Sequence, residues 1–173
     1  NADLSGLTAI KPTRDGYVFV EWSPALPSTM PAEDTVLKAQ WKVEEYTINF
    51  DTDGGSTVPP MDVEYGEKVT PPAAPTKPGY DFVDWSPALP ETMGDIGNDG
   101  ASMNVTAIWE AKKYPVSLNA NGGALSNGDA TFFEEEVPFE TVLSTVAPVG
   151  NPTRDGFKFL GWTTAGQTGY VTI

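Results

Sequence analysis

Two glycine turns gather the oxygen donors that a hard cation uses. Asp51-x-Asp53-Gly-Gly and Asp95-x-Gly-Asn-Asp99-Gly set side-chain oxygens close together on tight turns, which makes Asp51, Asp53, Asp95 and Asp99 the candidate Ca²⁺ ligands. Neither follows the EF-hand spacing, and no Glu closes either loop. The matching Asn119-x-Asn121-Gly-Gly carries amides where Asp51 and Asp53 stand, so a metal site there would not be shared between related segments. Turn formation explains these residues, and neither a bound metal nor any cofactor is expected.

Paired carboxylates are the equipment of glycoside hydrolysis, and Glu44-Glu45 and Glu134-Glu135-Glu136 supply them. Adjacent acids on an exposed segment are ordinarily just solvated. The chain has no His and no Cys, which removes the commonest general base, thiolate nucleophiles and zinc-thiolate sites. No catalytic residue and no enzyme activity are expected. A net charge of -14, from 24 acidic and 10 basic side chains, repels nucleic-acid phosphates and anionic lipid. No apolar run approaches the roughly 20 residues that cross a bilayer, so membrane insertion is not expected either. The chain opens on Asn1-Ala2-Asp3 without a signal sequence and reads as a piece of a longer protein. An acidic, Cys-free, Thr/Gly/Pro-rich composition suits a bacterial exterior.

Aromatic side chains are the remaining chemistry, since their faces can stack on sugars or anchor a protein partner. Phe132, Phe133 and Phe139 are the candidate binding residues, for a host or cell-wall glycan or protein. The other large aromatics recur at fixed places and read as packing instead.

That recurrence is the strongest signal in the chain. Pro12-Thr-Arg-Asp-Gly-Tyr-Val-Phe-Val-Glu-Trp22 matches Pro75-Thr-Lys-Pro-Gly-Tyr-Asp-Phe-Val-Asp-Trp85 and Pro152-Thr-Arg-Asp-Gly-Phe-Lys-Phe-Leu-Gly-Trp162. The first two continue through Ser-Pro-Ala-Leu-Pro to Thr-Met and close on Ala-x-Trp, at Trp41 and Trp109. Tyr46 to Gly55 likewise matches Tyr114 to Gly123. Three copies follow: residues 1–43 are the C-terminal half of one, 44–111 are complete, and 112–173 are a third that stops before its last strand. Length differences place insertions at Gly94 to Asn104 and at Leu125 to Thr145, read as loops.

Within a copy, apolar residues alternate with polar ones at Tyr46, Ile48 and Phe50, at Met61, Val63 and Tyr65, and at Val105, Ala107 and Trp109, the period of half-buried strands. Tyr80, Phe82, Val83 and Trp85 add a strand with a phase change that suggests a bulge or two buried faces. The fold is therefore expected to be mainly β, α+β at most, with about four strands per copy. Any helix should be short, at Met93 onward or Val137 to Val146. The core is expected at Trp22, Trp41, Tyr80, Phe82, Trp85, Trp109, Phe159 and Trp162. Short charged joints, Lys42 to Glu45 and Glu110 to Lys113, predict neighbouring copies stacked end to end as an extended rod.

Phe50 with Gly54 and Gly55, Tyr65-Gly66 with Val69, Pro75 through Trp85, and Thr106 to Trp109 together resemble the Listeria-Bacteroides repeat, or internalin B-repeat. The resemblance implies a small β-grasp-like, ubiquitin-like module, found in tandem on bacterial surface proteins as a spacer or adhesion module, with no catalytic residues to carry over. The third copy departs from it, with Phe132 to Phe139 where Tyr-Gly is expected.

Overall fold

The structure is a computed structural model and describes residues 11–163 apart from 28, 30, 31 and 149. Two compact units divide the chain: Asn1–Lys77 with Phe82–Trp109, and Pro78–Asp81 with Glu110–Ile173.

In the first unit, β1 (Tyr17–Ser23) and β2 (Lys38–Val43) form an antiparallel ribbon. The register shifts between Phe19 and Glu21, so one extra residue bulges from β1. Phe19 and Trp22 are thereby half-buried while the intervening Val20 is 57% exposed. This is the phase change the sequence shows, and β5 repeats the pattern with Phe82 half-buried, Val83 55% exposed and Trp85 buried.

The complete copy builds a sheet of β3 (Glu45–Asp51), β4 (Met61–Glu64), β5 (Tyr80–Ser86) and β6 (Ser102–Ala111), in the order β4-β3-β6-β5. β3 pairs antiparallel with β4 and parallel with β6. Alternation decides the faces: Tyr46 and Ile48 of β3 point into the core with no exposed surface, while Thr47 Oγ1 donates to Asp62 at 2.8 Å and Asn49 Nδ2 to Asn104 at 3.0 Å on the other face. Val63, Val69, Trp85, Met93, Val105 and Ala107 complete that core. A buried aromatic ring of 150–250 Å² contributes on the order of 4–6 kcal/mol gross, so this handful of side chains suffices for a module near the lower size limit.

In the second unit, β7 (Lys113–Asn119) and β8 (Thr131–Pro138) pair antiparallel around Leu118, Leu125 and Val137. A 3-10 turn follows at Leu143–Thr145.

Three expectations change. No helix forms at Met93 among the described residues. The segment runs irregularly beside residues 66–69, through Gly66 N–H to Met93 O, Met93 N–H to Glu67 O and Val69 N–H to Glu91 O, at 2.8–3.0 Å. The stretch from Leu125 to Thr145 is not a plain loop, since it contains β8. Finally, residues 158–161 form no strand, unlike their counterparts in β1 and β5, because no ladder partner equivalent to β2 or β6 lies beside them among the described residues.

Candidate functional site

Each of the four acidic turn residues has a hydrogen-bond or ion-pair partner within the protein. Asp51 accepts the Asp53 N–H at 2.9 Å, and Asn119 accepts the Asn121 N–H at 2.8 Å in the same way, with left-handed φ of 46° at Asp53 and 49° at Asn121. Lys77 Nζ donates to Asp53 O at 2.7 Å, and Arg154 to Asn121 O at 2.9 Å, so a basic residue closes both turns. Asp95 accepts the Gly97 N–H at 2.9 Å. Asp99 accepts the Glu45 N–H at 2.9 Å and pairs with Lys42 at 3.1 Å; that backbone bond, then Lys42, holds its carboxyl below the usual range. No group of three or more acidic residues suited to a metal ion occurs among the described residues.

Of the candidate binding residues, Phe132 and Phe133 neighbour each other on β8, the first half-buried opposite Leu118 and the second 64% exposed. Phe139 lies beyond the strand's end and turns to a different task, described below.

The recurring aromatics form a repeated arrangement. Phe19 meets Trp22 with ring centroids 5.3 Å apart and Trp41 at 5.8 Å; Phe82 meets Trp85 at 5.2 Å and Trp109 at 5.7 Å. Phe159 meets Trp162 at 5.5 Å. Trp85 is buried, and Trp22, Trp41, Tyr80, Phe82, Trp109, Phe159 and Trp162 are half-buried. Trp109 donates its indole N–H to Thr52 O at 3.0 Å and lies over Gly55, where a Cβ would stand 2.6 Å from the ring. That close approach is why the second glycine of Gly54-Gly55 is needed.

Trp162 and Phe159 also line an open cleft of about 860 Å³ with Val116 and Leu118. In the complete copy the equivalent Ile48, Phe50, Phe82 and Trp85 gather with Val105 and Ala107 of β6.

The feature that motif reading missed lies at the start of the complete copy and recurs in the second unit. Gly16, at φ +74°, lies beneath the Tyr65 ring so closely that a Cβ would collide with it; Gly79, at φ +80°, lies beneath the Phe139 ring in the same way. Tyr17 stands edge-on to Tyr65 at 6.2 Å, and Tyr80 to Phe139 at 5.6 Å. One joint residue bridges each pair. Glu44 N–H donates to Gly16 O at 2.9 Å and Glu44 O accepts from Tyr65 N–H at 2.9 Å; Lys112 N–H donates to Gly79 O at 2.8 Å and Lys112 O accepts from Phe139 N–H at 2.7 Å. Phe139-Glu140 therefore occupies the place of Tyr65-Gly66. Glu140 adopts the left-handed φ of 62° where Gly66 has 79°, and accepts from the Tyr80 hydroxyl at 2.7 Å. The signal was present as the recurrent Gly-aromatic dipeptide, but a non-glycine at the left-handed position concealed its partner.

The model of the Listeria-Bacteroides repeat domain matches residues 46–94 and 114–172. A "Putative membrane protein" of Evansella cellulosilytica is 31% identical over 90% of this chain and 24% of its own length. A "Putative Gly-rich membrane protein" of the same organism is 30% identical over 88% and 18%, and Internalin H of Listeria monocytogenes 40% over 43% and 15%. The chain thus spans no more than about a quarter of the relatives it matches. No solved structure matches it.

Proposed function

Because this chain belongs to the Listeria-Bacteroides repeat family, we propose that it is a non-catalytic spacer in the stalk of a bacterial cell-surface protein, exposed outside the cell. The observation that carries the reading is that successive copies rebuild the same internal contacts, the Phe-Trp-Trp cluster above all, to within about 0.1 Å in centroid separation. Recurrence of packing rather than of an exposed constellation is what a scaffold module needs. The first and last strands of the complete copy lie parallel at the centre of its sheet, which supports a β-grasp-like module. The short joints favour modules that follow one another as an extended rod. The names of the relatives, membrane proteins and an internalin, favour the cell envelope.

Small-angle scattering on the 173-residue chain tests the rod, with a maximum dimension well beyond that of a globule of equal mass expected and a compact profile opposing it. A glycan array with a thermal-shift screen tests the spacer role against ligand capture. A true ligand at about 100 times its Kd stabilises by about 2.7 kcal/mol, and a reproducible shift of that size would replace the spacer with a binding module.

A further inference from the structure

The two glycine-ring seats have a third counterpart that no described residue covers. In Pro152 to Trp162 the matching residues are Gly156 and Phe157. The turn is already shaped as in the first copy: Phe157 N–H donates to Arg154 O at 3.1 Å, as Tyr17 N–H does to Arg14 O at 3.0 Å. The Arg154 guanidinium lies 4.1 Å from the Phe157 ring centre, and that of Arg14 lies 3.7 Å from Tyr17. Gly156 has φ +76°, between the values at Gly16 and Gly79. What differs is the cover. A Cβ on Gly156 meets nothing within 4 Å, Phe157 is 66% exposed, and no second aromatic ring stands against it among the described residues.

We propose that Gly156 and Phe157 form a preformed docking surface for a further copy of this module. The proposal rests on the spacer reading and supplies its mechanism of continuation. The incoming copy presents three things, read from the two occupied seats: an aromatic residue laid flat on the glycine, a residue with left-handed φ immediately after it, and one joint peptide whose N–H and C=O bridge the two partners. Every atom of that bridge is backbone or ring, which is why Glu44 and Lys112, of opposite charge, serve equally. The glycine is required twice over, by its left-handed φ and by the ring above it.

The three near-identical φ values provide an internal control. Replacing each glycine by alanine imposes the same backbone penalty, and only Gly16 and Gly79 add a collision with a ring. In the 173-residue chain, Gly79→Ala is expected to lower Tm by at least about 5 °C more than Gly156→Ala. A longer chain made by joining residues 1–162 to residues 86–173, at the equivalent tryptophans Trp162 and Trp85, supplies a following copy in register. There Gly156→Ala is expected to become as damaging as Gly79→Ala. Proton NMR of the unsubstituted chains gives a readout independent of mutant folding. Ring-current shifts move the Gly16 and Gly79 α-protons in both chains, and those of Gly156 in the longer chain only. Unchanged Gly156 shifts, or an equal Gly156→Ala effect in both chains, would overturn the docking surface. Such a result leaves the spacer reading standing, because that reading is decided by scattering and by the ligand screen.

Discussion

Tyr46 shows how little of a polar side chain need be titratable for it to matter. Its ring is wholly buried, and its hydroxyl donates to Glu44 at 2.5 Å; burial, then the Glu44 carboxylate, pushes the phenol well above the ordinary tyrosine value. A folded pKa raised above the unfolded one means stability fully present below about pH 10 and lost as pH climbs through the folded value. We expect an alkaline decline approaching about 1.4 kcal/mol per pH unit above pH 10, absent in Tyr46→Phe, which loses the hydrogen bond but has no proton to give up. Urea melts from pH 9 to 11.5 check this, and parallel declines in both proteins would assign the effect elsewhere. Asp51 provides a second case. Its role is to accept one backbone N–H, which Asn119 performs in the third copy, so Asp51→Asn should change stability by less than about 0.5 kcal/mol. Millimolar Ca²⁺ should leave the Tm of both proteins unchanged, and a Ca²⁺-dependent rise confined to the parent would restore the metal reading.

At the scale of elements, the irregular segment ending at Met93 has the greatest leverage for its length. Met93 is 1% exposed and sits in one core with Tyr46, Trp85 and Val105, although it belongs to no strand. Met93→Ala should destabilise the chain by about 2–5 kcal/mol, whereas Val83→Thr, at a 55% exposed position of β5, should stay within about 0.5 kcal/mol. Chemical denaturation ranks the two, and comparable losses would show that the Val83 face is covered. Period-two alternation made β3, β4 and β6 legible in the sequence, and the phase change between Phe82 and Trp85 matches the burial pattern of β5, where Val83 is exposed between the two rings. Met93 was legible as a repeated residue but not as an irregular core plug, because its burial depends on backbone bonds to residues 66–69 that no local pattern encodes. The Phe139-Glu140 seat escaped for a related reason: a left-handed glutamate is rare, and only tertiary contacts identify it. Met30, the counterpart of Met93, lies outside the described residues.

Across the whole molecule, charge is the property most exposed to its surroundings. The net charge of -14 is spread over a chain with 10 basic residues, and the four ion pairs among the described residues, Lys42–Asp99, Lys77–Asp53, Lys112–Asp81 and Lys113–Glu136, each have at least one largely exposed partner. Exposed pairs of this kind contribute little to stability, and Lys113 and Glu136, whose mutual bond raises one pKa and lowers the other, are weakened by salt like the rest. Repulsion among the excess carboxylates acts over longer distances, and it is the interaction that added salt removes most completely as the screening length falls from about 30 Å at 0.01 M to about 8 Å at 0.15 M. The two effects oppose each other, and the imbalance of charge decides in favour of the repulsion. The Tm should therefore rise by a few degrees between 0.01 and 0.15 M NaCl, measured at neutral pH with chelator present so that no divalent ion contributes. A fall over that range would mean that the surface ion pairs outweigh the self-repulsion, and that the acidic surface of the chain is arranged to hold the fold together rather than merely to keep it dissolved.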